Sequence, residues 1–237
     1  MRNLIFWGLF PFALPQAIHL KRTAPRYRPP GCATNGVVGS GDRLRLFGIG
    51  DSVVAGVGMD VLRDALVGQA TLEIAQQLDR SVHWSVHGRS GARAQHLLED
   101  YLPDLPEESA DVIILSVGVN DITGMTMLPM FRRRLGRLLD ALHRHSPNAV
   151  IGVSGLPPLD YFPLLPEPLR FASGQRGRAF DRAARRLVER RERVVHMPVR
   201  FDSREDNFCS DGFHPSVRSH RRFGRLMANL LIEELRG

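Results

Sequence analysis

The stretch that most restricts what this chain can fold into is residues 111–117, Asp-Val-Ile-Ile-Leu-Ser-Val. An unbroken apolar run of this length, rich in β-branched residues, suits a strand buried on both faces. Such strands belong to parallel sheets covered by helices. Four further strands are expected, at residues 44–49, at 82–86, where apolar and polar residues alternate, at 149–154, and at 194–197, short and near the edge. Between and after them lie stretches with helical character, at 60–78, 94–101, 129–145, 175–191 and 217–235. Strands that alternate with helices predict an α/β domain: a three-layer α/β/α sandwich around a central parallel sheet of about five strands. The 237 residues suffice for one well-buried domain, and no internal repeat or second domain is visible.

That domain is expected at 43–237, after an apolar N-terminal segment and a Pro/Arg-rich linker at 1–42. Residues 4–20 are mostly apolar but are interrupted by Pro11, Pro15, Gln16 and His19. Three readings compete. A secretory signal has an apolar core of this length, but no small-x-small cleavage site is evident. A membrane-spanning anchor needs about 20 apolar residues. The third is an apolar helix lying on a membrane or on the domain itself. Membrane association without cleavage is the favoured expectation. Lys21, Arg22, Arg26 and Arg28 follow the run, and only Arg2 precedes it, which favours the cytoplasmic face over secretion.

The formal net charge is +7, and Lys21 is the only lysine, so arginine supplies nearly all the positive charge. No helix-turn-helix, zinc-finger or aromatic RNA-binding pattern accompanies it, so the arginines read as solvated helix faces and no nucleic-acid partner is expected. The two cysteines, Cys32 and Cys209, form no CxxC or Cys/His spacing, which speaks against a zinc site. Two unpaired thiols are favoured over a disulfide.

Polar turns carry the chemistry. Asp51-Ser52 follows the first run, Ser90-Gly91 the second, Asn120-Asp121 the third, and Asp211-Gly212-Phe213-His214 lies in the loop after the last. In a parallel sheet the carboxyl ends of all strands point the same way, so these turns converge on one edge. A hydroxyl, backbone amides, a side-chain amide, a carboxylate and an imidazole then meet in one place. Those are the parts of acyl transfer. Each residue also has a structural alternative. Ser52 can be a helix cap, Asn120 can close its turn, Asp211 can cap a loop, and Asp121 is a rival carboxylate that reads as structural.

Four short blocks stand in fixed order: Gly50-Asp51-Ser52, Ser90-Gly91, Gly118-Val119-Asn120-Asp121 and Asp211-Gly212-Phe213-His214-Pro215. In this the chain resembles the SGNH (GDSL) hydrolases, lysophospholipase- and esterase-like enzymes, over most of its length. The resemblance implies the flavodoxin-like fold of that family. It also implies Ser52 as nucleophile, His214 as general base and Asp211 as the acid that orients it. The oxyanion hole is then the Ser52 and Gly91 backbone N–H groups and the Asn120 side-chain amide. The implied chemistry needs no cofactor and no metal. In the second block His87 and Gly88 stand where the family often has an asparagine.

The expected activity is hydrolysis of a carboxylic ester through an acyl-enzyme, on a small-molecule substrate that is lipid-like or has a short acyl group. The same resemblance admits a carbohydrate O-deacetylase. A catalytically inactive lipid- or glycan-binding module is the alternative outside enzymology. Gly48-x-Gly50 fails as a dinucleotide fingerprint, because Val53 stands where the pattern needs Gly or Ala. No Gly-x-Ser-x-Gly elbow, His-Glu-x-x-His or P-loop stretch is present. Residues 155–165 are apolar for a loop and either line an acyl pocket, meet a membrane or fold onto the core. Met125, Met127 and Met130 either form a flexible apolar wall or belong to the core. Of the other histidines, His87 is the one near the Gly91 turn; His83, His96, His143, His145, His196 and His220 read as surface or packing residues.

Overall fold

A computed structural model describes residues 2–24, 27–201 and 205–237, without the side chains of residues 2–10, 12, 21 and 205. A six-stranded sheet runs through the middle. Its strands are β1 (Asn35–Val38), β2 (Arg43–Gly50), β3 (Ser81–Gly88), β4 (Val112–Ser116), β5 (Val150–Ser154) and β6 (Val194–Met197). They lie in the order β1-β3-β2-β4-β5-β6, all parallel except β1, which pairs antiparallel with β3. The five parallel strands are the five expected from the sequence. Every residue of β4 and β5 is buried, whereas β3 and β6, towards the sheet's margins, are only partly so. The burial follows the composition: Val and Ile crowd the strands that helices cover on both sides.

One face carries α2 (Leu66–Leu78) and α7 (Val217–Arg236), packed on each other. The other carries α3 (Ala94–His96, continued as a single π-turn at Leu97–Tyr101), α4 (Val119–Thr123), α5 (Leu128–His145) and α6 (Leu169–Val188). Pro129 in the first turn of α5 has the φ a helix start requires and lacks only an N–H that has no helical partner. Inside this layer Phe131 of α5 stacks on Phe180 of α6, with ring centroids 4.7 Å apart and both rings fully buried. Burying each ring contributes about 2–3 kcal/mol, so Phe131→Ala alone would loosen the pair of helices.

Three differences from the sequence expectations have physical reasons. Strand β1 falls inside the presumed linker. It is a four-residue edge strand, only half-buried, and it covers backbone groups of β3 that would otherwise stand open. The helical spacing at 60–78 breaks in two, a short turn at Leu62–Asp64 and then α2. Gly68, in the first turn of α2, lets the helix close on that turn: a Cβ there would lie 2.3 Å from the Leu62 carbonyl oxygen. Helix α6 starts at Leu169, six residues earlier than its spacing suggested, directly behind Pro168.

At the N-terminus α1 (Arg2–Thr23) lies against α6. The Gln16 side chain fixes it: Nε2 donates to the Glu167 carbonyl (2.6 Å), and Oε1 accepts from the Leu169 N–H (3.2 Å). The described part of this segment forms a helix packed on the domain. Among the described residues, no helix is long and apolar enough to cross a membrane. Cys32 and Cys209 are both free thiols.

Candidate active site

The first block leaves β2 at Gly50. A Cβ there would lie 2.3 Å from the Ser116 carbonyl oxygen, so only glycine lets β2 and β4 close together at this level. The chain then turns: the Asp51 N–H donates to the Ser116 carbonyl (3.0 Å), and the Ala55 N–H donates to the Asp51 carbonyl (2.9 Å). No α-helix begins here, so Ser52 is not a helix cap; residues 51–58 are successive turns and a bend. The Asp51 carboxylate builds the turn instead. Its Oδ1 accepts from the Val53 N–H (3.1 Å) and from the Ser116 hydroxyl (3.2 Å).

The second block is tied to the first by the Arg89 N–H, which donates to the Gly50 carbonyl (3.1 Å). Gly91 has φ +80°, a left-handed conformation that favours glycine, and the space beyond its missing Cβ is empty. The third block leaves β4 through Gly118 and puts Asn120 in the first turn of α4. Asn120 Nδ2 donates to the Ala92 carbonyl (3.0 Å), which fixes the amide and leaves its second N–H available. Asp121, completely buried, accepts from the Ala94 N–H (3.0 Å) and so braces the second block. That is the structural role its sequence position suggested. Burial pushes its carboxyl up from the usual range.

In the last block one loop holds both catalytic candidates. Asp211 Oδ2 lies 2.5 Å from His214 Nδ1, while Oδ1 accepts from the backbone N–H groups of Phe213 (2.9 Å) and His214 (3.0 Å). Burial pushes the Asp211 carboxyl up, but the His214 ring and the two amides outweigh it and hold the group below the ordinary carboxylate range. The Asp-x-x-His spacing makes this local geometry possible.

The blocks meet at two adjoining hollows. A tight one of about 50 Å³ lies beside Ser52, Asp51, Ser116 and Phe162. A larger cavity of about 550 Å³ is lined by Gly91, Asn120, Asp211 and His214 together with largely aliphatic side chains. Asn120, Phe213 and His214 border both. The Ser52 hydroxyl makes no hydrogen bond among the described residues, so the Ser52–His214 contact is not closed here, although both side chains border the smaller hollow. The N–H groups of Ser52 and Gly91 likewise have no partner among the described residues.

Residues 49–222 match the model of the GDSL-like lipase/acylhydrolase family. The chain belongs to that family. Among solved structures, this GDSL-like chain is similar to the lipase Lip_vut3 from a goat rumen metagenome, at TM-score 0.65 and 17% identity over 78% of this chain and 96% of that one. It is similar to a Clostridium thermocellum family 3 carbohydrate esterase, at TM-score 0.62 and 20% identity over 82% and 98%. A carbohydrate esterase family 2 enzyme from Corynascus thermopiles, which carries a carbohydrate-binding domain, aligns over 90% of this chain and 69% of its own, at TM-score 0.62 and 15% identity. No curated protein matches the chain in sequence. At these identities the likeness is one of fold: the flavodoxin-like α/β architecture of GDSL hydrolases.

The settings of Asp51 and His220 were not read from the sequence, whereas the loop at 155–165, His87 and the three methionines had readings that the structure now narrows. Asp51 sits behind the Ser52 turn with its carboxyl pushed up to about 6, first by burial and against the pull of Val53, Ser116 and His214. Only the β2–β4 register, which puts Gly50 opposite Ser116, explains its setting. His220 of α7 is wholly buried, and burial, then the nearby His214, pushes it down to about 3. The loop at 155–165 divides: Phe162 joins an aromatic cluster with Phe201, Phe208 and Phe213, while Leu164 and Leu165 face the larger cavity. His87 bonds Ser85 Oγ (2.9 Å) and packs edge-on against Phe47, as a packing residue. Met125 borders the cavity, and Met127 and Met130 are exposed.

Proposed function

We propose that the protein is a serine esterase that uses Ser52, His214 and Asp211, and that its substrate is an ester with an apolar acyl arm. His214 Nε2 takes the Ser52 proton as Oγ attacks the ester carbonyl carbon. The negative charge that develops on the carbonyl oxygen is held by the Ser52 and Gly91 N–H groups and the second N–H of Asn120. Collapse of the tetrahedral intermediate expels the alcohol, which leaves with the proton from His214. Water then repeats the sequence on the acyl-enzyme and frees the acid. Asp211 fixes the ring so that Nδ1 carries a proton and Nε2 faces the serine, and it stabilises the imidazolium that forms.

One observation carries the reading. The Gly91 N–H, without a partner among the described residues, and the anchored Asn120 amide stand at the same cavity as an Asp-paired histidine, and Ser52 borders the adjoining hollow that Asn120 and His214 also line. Preorganised donors of this kind contribute more than any other single term in acyl transfer, about 10²–10³ in turnover for one donor. The largely aliphatic lining of the larger cavity favours an apolar acyl arm over a sugar. The open Ser52–His214 contact is compatible with catalysis, because such contacts often tighten only around substrate.

The test compares the protein with its Ser52→Ala variant on p-nitrophenyl acetate, butyrate and octanoate. Activity that vanishes in the variant, together with fluorophosphonate labelling of Ser52, supports the reading. Equal rates in both proteins would refute it. Preference for acetylated sugars over all three esters would replace the acyl-arm reading with a carbohydrate deacetylase.

A further inference from the structure

The geometry points to helix α1 as the wall of the acyl-binding cavity, with Leu14, Ala17 and Ile18 setting how long an acyl chain the enzyme accepts. This rests on the serine-esterase reading above and adds the element that selects its substrate.

The argument begins with spacing. Ala13, Leu14, Ala17 and Ile18 recur at three- and four-residue intervals, so they share one face of α1, and all of them line the 550 Å³ cavity. Opposite them stand Leu164, Leu165 and Leu169 from the loop and the start of α6, and Ile122 and Met125 from α4 and the turn after it. The catalytic end of the same cavity holds Gly91, Asn120 and His214. An acyl group whose carbonyl oxygen reaches the Gly91 and Asn120 donors therefore has its chain directed between α1 and α6. Gln16, on the same helix, pins α1 to the Glu167 carbonyl and the Leu169 N–H, so the wall is anchored in a defined position. Leu14 and Ile18 are 40% and 45% exposed, so they stand at the mouth, while Ala17 is half-buried and faces inward with the smallest side chain of the three.

The experiment uses the full chain with Ala17→Trp, which fills the cavity, and Ile18→Ala, which strips the mouth. Each acyl methylene denied burial forfeits about fourfold in kcat/KM, so a Trp that shuts out two or three of them lowers octanoate hydrolysis about 16- to 60-fold. Acetate, which does not reach α1, changes by less than about twofold. Ile18→Ala lowers octanoate about fourfold or more with acetate unchanged, and covers the case in which the Trp variant does not fold.

Acetate and octanoate falling together, or neither changing, overturns the proposal. Decanoate binding by calorimetry in the Ser52→Ala background separates this proposal from the mechanism. Binding that Ala17→Trp abolishes supports the wall even if Ser52 proves not to be the nucleophile. Binding that Ala17→Trp leaves intact refutes the wall whatever Ser52 does.

Discussion

His220 offers a sharp test of the electrostatics behind the site. The side chain is completely buried in α7, and neither ring nitrogen has a hydrogen-bond partner among the described residues. Its pKa falls from 6.5 to about 3, chiefly by burial and then by proximity to His214. The folded state therefore holds it neutral, while the unfolded chain takes up a proton below pH 6.5. The stability this provides is complete above pH 6.5 and is lost progressively as pH falls towards 3. At about pH 4.5 the loss is two pK units, or about 2.7 kcal/mol. His220→Leu, close in volume, removes the titration. The variant is then expected to gain about 2.7 kcal/mol relative to the parent between about pH 7.5 and pH 4.5, whatever constant packing penalty leucine brings. Urea unfolding of both proteins at the two pH values measures the gain directly. Asp51 titrates in the same range but is present in both proteins, so to first order it cancels in the difference. Parallel stability curves would show that His220 is not held neutral by the fold, and the account of its burial would fall.

Asp51→Asn keeps an oxygen for the Val53 N–H and the Ser116 hydroxyl but removes a buried charge. The folded pKa of about 6 lies above the unfolded 3.8, so the parent loses about 3 kcal/mol as pH rises through that window, and the variant does not. Urea unfolding at about pH 4 and pH 8 should therefore show the variant gaining about 2.4 kcal/mol on the parent at the higher pH, since the unfolded carboxyl is already partly ionised at pH 4. Asn120→Ala is expected to lower kcat about 10²–10³-fold with little change in KM, and an equal rise in KM would contradict an oxyanion role. Gly50→Ala drives a Cβ against the Ser116 carbonyl, where only backbone can yield, and is expected to cost about 2 kcal/mol or more in thermal unfolding.

What the sequence revealed and what it withheld divide along the range of the physics involved. Residues 111–117 read correctly as a doubly covered strand because side-chain chemistry alone sets that pattern. Asp211 and His214 come to 2.5 Å because three residues of one loop suffice to bring them together, a local geometry that the Asp-x-x-His spacing carries. Strand β1 was not legible, since Asn35–Val38 has no apolar alternation of its own and exists as a strand only by pairing with β3. The setting of Asp51 was equally hidden. It depends on a register between β2 and β4 that a single strand does not encode.

The N-terminal segment shows the same division at its sharpest, because its composition left open which surface the helix lies on. A helix apolar enough to suggest a membrane needs an apolar surface to lie on, and a chain that builds a mostly aliphatic cavity supplies one. Leu14, Ala17 and Ile18 face that cavity, and Gln16, the polar residue that weakened the membrane-span reading, makes the two bonds that seat the helix on α6. Those bonds join residues more than 150 positions apart in the sequence, so no local pattern announces them. Gln16, one of the four residues that interrupt the apolar run, is thus the polar residue that seats the helix, a role visible only once its partners are in place.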